Sequence, residues 1–84
     1  MSRWSKKENT TEVSFEIIEH LGALGKRTDN GWQVEVNVVS WNGGVPKVDI
    51  RPWNEDHTRC SKVVGRFNDA DAEQLGKILT EAFK

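Results

Sequence analysis

The chain has one cysteine, two prolines, one methionine and no tyrosine among its 84 residues. With Cys60 alone, no intrachain disulfide can form and no cysteine-rich zinc site can be built. A reducing, cytoplasmic setting is the expectation. No stretch approaches the roughly 20 apolar residues of a membrane-spanning helix. The opening MSRWSKKENTTE has basic residues but no apolar run after them, so a secretory leader is not expected. A large charge of one sign is also missing. Twelve Lys and Arg against 13 Asp and Glu leave a net charge of -1, which argues against holding a polyanion by bulk charge. There is no glycine-rich phosphate loop either, because Gly43-Gly44 sits in a hairpin and opens no helix.

What the chain does have is sorted along its length. Residues 26 to 67 carry Lys26, Arg27, Lys47, Arg51, Arg59, Lys62 and Arg66 against Asp29, Glu35, Asp49, Glu55 and Asp56, a local balance of +2. The stretch from Asn68 to Lys84 is acidic by two. Eighty-four residues suit one small domain, whose single core is marginal enough that burial against a second copy would help. Residues 1–12 are polar and without periodicity, and read as a flexible tail in which Trp4 has no assigned role and Lys6 and Lys7 are solvated. The domain proper runs over 13–84.

Val13 to Leu24 partly alternates, as a strand does, and GKRTDNG at Gly25 to Gly31 is a turn. From Trp32 to Trp41 the alternation is clean: Trp32, Val34, Val36 and Val38 point one way, and Gln33, Glu35, Asn37, Val39 and Trp41 the other. Asn42-Gly43-Gly44 closes a hairpin. Lys47 to Trp53 alternates again, with Val48 and Ile50 opposite Lys47, Asp49, Arg51 and Trp53. Pro52 has no N–H for a ladder and marks an edge or a bulge. Arg59 to Phe67 reads as a fourth strand. Asn68 or Asp69 caps a final helix striped by Leu75, Ile78, Leu79, Ala82 and Phe83. The fold class is α+β, a four-stranded antiparallel meander sheet followed by one C-terminal helix.

The helix covers one face of such a sheet, packing against Val36, Val48 and Ile50, with Trp32 on the same side. The other face collects Trp41 and Trp53 with Asn37, Lys47, Arg51, Lys62 and Arg66. Two rings among amides and cations suit a single nucleic-acid strand: bases stack on indoles with roughly 1–3 kcal/mol each, and cations follow phosphates. Taken alone, Trp on a small sheet more often fills a core or a dimer seam than binds a ligand, and the same face could also hold a peptide. Asp49 and Glu35 oppose a phosphate face, and can instead orient Arg51 or Lys47. His57 and Cys60, three apart, make a weak Cys–His pair with no third member, and Asp56, His57 and Cys60 do not make a closed metal site. No enzyme, metal, cofactor or small-molecule substrate is expected.

FEIIE at Phe15 to Glu19, GW at Gly31-Trp32, VSWN at Val39 to Asn42, PK at Pro46-Lys47, DIR at Asp49 to Arg51, Trp53 and DH at Asp56-His57 together resemble the positive-cofactor-four family of transcriptional coactivators, and its short bacterial branch most. The resemblance covers about residues 13 to 84. It implies an intertwined homodimer, with helices in the interface, that binds single-stranded or melted DNA with little sequence preference. It implies that Trp41 stacks on bases, that Arg51 and Trp53 form the basic and aromatic pair ending the third strand, and that Lys62 meets phosphate, with Arg66 sharing that role. The serine-rich acidic tail of eukaryotic members is absent, so nucleic-acid binding is what carries over. The expected partner is single-stranded DNA, with RNA as the alternative. Trp41 and Trp53 would stack, Lys47, Arg51, Lys62 and Arg66 would neutralise phosphates, and Asn37 would hydrogen-bond bases.

Overall fold

Strand β1 (Phe15–Leu24), strand β2 (Gln33–Trp41), strand β3 (Lys47–Trp53) and helix α1 (Asp69–Ala82) follow one another along the chain. The computed structural model describes residues 14–84. The expected tail over 1–12, with Trp4, Lys6 and Lys7, lies outside the described residues. The three strands form one antiparallel sheet in the order β1-β2-β3, and the architecture is α+β with a C-terminal helix.

The two turns follow from residues that tolerate a positive φ. Asn42 and Gly43 take φ of 52° and 74°, and Gly44 N–H donates to Trp41 O at 2.8 Å. Two consecutive positive values are the hairpin geometry that Asn-Gly favours, because its twist matches that of the strands. The register pairs Val36 with Ile50 and Val38 with Val48 on one face, and Glu35 with Arg51 and Asn37 with Asp49 on the other. The period-two reading of β2 and β3 therefore holds residue by residue.

Strand β1 departs from simple alternation. Its register shifts between Ile17 and Glu19 and again between His20 and Gly22, so Ile18 and Leu21 are extra residues. Bulges of this kind bend a strand and increase its twist. They leave Phe15, Ile17 and His20 opposite Trp41, Val39 and Asn37.

Helix α1 starts at Asn68, whose side-chain oxygen accepts from Asp71 N–H at 2.7 Å; Asp69 and Asp71 lie in the positive first turn. Its buried residue, Ile78, joins Leu24 and Val36 in a core ringed by Leu21, Val34, Ile50, Phe67, Leu75 and Leu79. The helix packs on β1, where Gly22 lets it approach: a Cβ there would stand 2.6 Å from Ile78 Cδ1. Val48 and Phe83, expected beneath and within the helix stripe, stay outside this core at 41% and 66% exposure. Trp32 is half-buried at the mouth of β2 and not part of the core.

The expected fourth strand over Arg59 to Phe67 is not formed as a ladder in the chain by itself. Cys60 bridges Trp53, Ser61 N–H donates to Pro52 O at 3.0 Å, and Val64 N–H donates to Ile50 O at 2.9 Å. Three steps on this segment thus match two on β3, and the extra residue breaks continuous pairing. Pro52 still sits on the edge strand of the sheet, as its missing N–H requires.

Candidate nucleic-acid interface

The face of the sheet away from α1 is concave. Trp53 pairs with Gln33 at one end of β2, and Phe15 pairs with Trp41 at the other. Eight residue steps of a straight strand would separate those ends by about 27 Å, far more than two side chains span. Yet the Phe15 and Trp53 rings lie with centroids 5.1 Å apart. The sheet must curl, and the rings meet inside the curl.

Four rings fill that space. Trp41 and Trp53 stack at 6.4 Å with an interplanar angle of 16°, Phe15 is 5.7 Å from Trp41, and the His57 ring is 5.8 Å from Trp53. Trp53 is fully buried, and its Nε1–H has no hydrogen-bond partner among the described residues. Where an open stacking platform was expected, the ring in this chain is enclosed by Phe15, Trp41 and His57. Asn37 is likewise fully buried. Its Oδ1 accepts from His20 Nδ1 at 2.7 Å, and its Nδ2 donates to Glu35 at 3.1 Å. Its amide is thus engaged by neighbours inside the sheet.

Arg51 is also engaged. Its Nε and Nη2 donate to the two oxygens of Asp49 at 2.6 and 2.7 Å, and Nη1 donates to Ser61 O at 3.3 Å. The guanidinium stands 4.5 Å over the Trp41 ring. The Asp49 carboxylate raises its already high pKa further, chiefly through the hydrogen bonds; burial opposes this and the Asp49 charge adds to it. Asp49 also accepts from Trp41 Nε1 at 3.3 Å. Arg51 thus fixes Trp41 and tethers the segment after the 54–59 turn. Asp49 does orient Arg51, as the shared face allows.

Three expected cations remain open. Lys47, Lys62 and Arg66 are exposed and form no salt bridge among the described residues. Lys62 lines a groove of about 550 Å³ with half-buried Trp41, Asn42, Arg51, Cys60 and Ser61. Lys47 lies on the concave side opposite Val39. Arg66 is not among the residues lining the groove.

A polar cluster that sequence reasoning passed over lies beside the rings. His57 Nε2 donates to both oxygens of Glu35, at 2.8 and 2.9 Å, from a turn in which His57 holds φ of 61°. His20 reaches the same carboxylate at 3.5 Å from the other side. The turn is stiffened by Asp56, which accepts from the Thr58 hydroxyl at 2.7 Å and the Thr58 amide at 3.2 Å; those bonds hold the Asp56 carboxyl below the usual aspartate range. The signal available in sequence was an acidic residue on the ring-bearing face of β2 and two distant histidines, with nothing to say that they meet. Among the described residues no group of three or more His, Cys, Asp or Glu side chains is arranged to hold a metal ion. Nor is any helix long and apolar enough to cross a membrane. His57 and Cys60 serve different partners, Glu35 and Arg51 respectively.

An uncharacterized protein from Treponema pallidum (strain Nichols) is 38% identical to the chain over 53 residues. The match spans 63% of this chain and 61% of that protein. No protein-family model matches the chain.

Proposed function

We propose that the chain is a homodimeric single-stranded DNA-binding domain of the positive-cofactor-four kind, short bacterial branch, acting in transcription regulation or DNA maintenance. The observation that carries this reading is the groove in which a half-buried indole, Trp41, held by Arg51 and Asp49, lies beside the exposed Lys62. A ring fixed from behind costs little entropy to stack on a base, and a neighbouring lysine is placed for its phosphate. Lys47 and Arg66 extend the positive field beyond the groove. Trp53 supports Trp41 from within. The partner copy covers the apolar surface that α1 leaves open, and the segment after Arg59 extends its pairing along β3.

The test is a titration with labelled oligothymidine, oligouridine and the matching duplex at several salt concentrations. The single strand of DNA binds, and the duplex binds weakly. With three cations engaged, log K falls against log salt with a slope of about -2 per chain, at about -0.7 per phosphate on a single strand. Lys62→Ala makes that slope shallower by about 0.7. A failure to bind oligothymidine at low salt sinks the reading. Preference for oligouridine turns it to RNA.

A further inference from the structure

A cavity of about 460 Å³ opens on the concave face, and Ile17, His20, Arg27, Glu35, Asn37 and His57 are among its lining residues. Its floor is buried and polar, with Glu35 3% exposed and Asn37 fully enclosed. A carboxylate so placed is costly unless donors meet it. Among the described residues neither lysine nor arginine pairs with Glu35; the His57 imidazole and the Asn37 amide donate to it, and His20 Nδ1, bonded to Asn37, stands nearby. They are unevenly shared. Oε1 faces His57 at 2.9 Å, Asn37 at 3.1 Å and His20 at 3.5 Å, whereas Oε2 has His57 alone at 2.8 Å. A carboxylate oxygen accepts twice, so Oε2 keeps capacity. His57 covers it from a left-handed backbone that a non-glycine residue seldom adopts, and its side chain is half-buried.

We propose that this cavity takes the Watson–Crick edge of one unpaired guanine in a bound single strand; the proposal rests on the single-stranded DNA reading above. A carboxylate with spare acceptor capacity asks for neighbouring N–H donors. Of the four DNA bases, guanine alone presents two side by side, N1–H and the 2-amino group. Glu35 accepts from both, and His57 turns its N–H from the carboxylate to guanine O6. Ile17 packs on the base, and Arg27, held to Gly31 O and Gln33, walls the rim. The domain then reads one base in an otherwise sequence-tolerant strand.

The experiment measures the affinity of the unaltered protein for oligothymidines in which one central position is thymine, guanine, hypoxanthine, adenine or cytosine. The guanine strand binds at least about fivefold tighter than the all-thymine strand, as a bidentate base contact implies. The hypoxanthine strand, which keeps N1–H and lacks the 2-amino group, falls between. Adenine and cytosine strands match thymine. Glu35→Gln brings the guanine strand to the thymine value measured on the same variant. If that variant does not fold, the guanine-to-hypoxanthine comparison on the unaltered protein decides. Equal affinity for all five strands overturns the guanine site and leaves the single-strand reading intact. Absence of binding to every strand overturns that reading, and the guanine site with it.

Discussion

Trp41 and Trp53 touch each other, yet truncating them should do different things. Trp53 has no exposed surface and three rings around it, so Trp53→Ala opens a cavity and costs about 3–5 kcal/mol of stability. Trp53→Phe costs less, since it also removes the buried N–H that lacks a partner among the described residues, a group that costs about 1–3 kcal/mol to leave unmet. Trp41 is half-buried at the groove. Trp41→Ala gives the smaller loss of stability and weakens oligothymidine binding by about 1–3 kcal/mol. Urea unfolding and titration of the same variants separate the two roles; the reverse pattern would exchange them. Alternation in β3 was enough to put Trp53 on the right face. It could not say that the face curls, because the curl comes from bulges in another strand and from Phe15 meeting a ring 38 positions later in the chain. Arg51 and Asp49 were more legible: two residues apart on one strand, they share a face, and a carboxylate beside a guanidinium forms a bidentate pair.

At the scale of elements, β2, β3 and α1 were readable because each obeys one period throughout. β1 was not, since its two extra residues reverse the alternation twice within a few positions. The segment after Arg59 misled for a related reason: valines suggest a strand, but its hydrogen bonds to β3 advance three residues for two. The approach of α1 to β1 rests on Gly22, a residue that sequence alone reads only as a weak strand position. Gly22→Ala would place a methyl 2.6 Å from Ile78 Cδ1 and 2.8 Å from Cγ1. Ile78 is buried, so it must shift within a packed core to make room, and the substitution costs about 1–3 kcal/mol. Ile78→Val removes Cδ1, the nearer atom, and the double variant should lose less than the sum of the singles. Strict additivity in the unfolding midpoints would show that the helix does not rest on this contact.

For the whole molecule the question is what covers the rest of the apolar face. The core beneath α1 holds three buried residues, Leu24, Val36 and Ile78. That is little for a domain of this size, where burial barely offsets chain entropy. Beyond the helix, Val48 is 41% exposed on the core side of β3, and Phe83 is 66% exposed at the helix end; Ile18, pushed out at a bulge, is 49% exposed. A second copy placed over Val48 and Phe83 would bury surface that one chain cannot. In light scattering or sedimentation the protein should therefore weigh twice 9.6 kDa, and its melting temperature should fall on dilution, because unfolding and dissociation are then one equilibrium. Val48→Glu and Phe83→Glu should each shift the protein toward monomer, as a charge at a dimer seam loses its water without gaining a partner. Val45, 77% exposed in the hairpin loop, supplies the control, and Val45→Glu should leave the mass unchanged. A monomer with a concentration-independent melting temperature would remove the dimer, and one chain would then have to bind the strand with three cations instead of six.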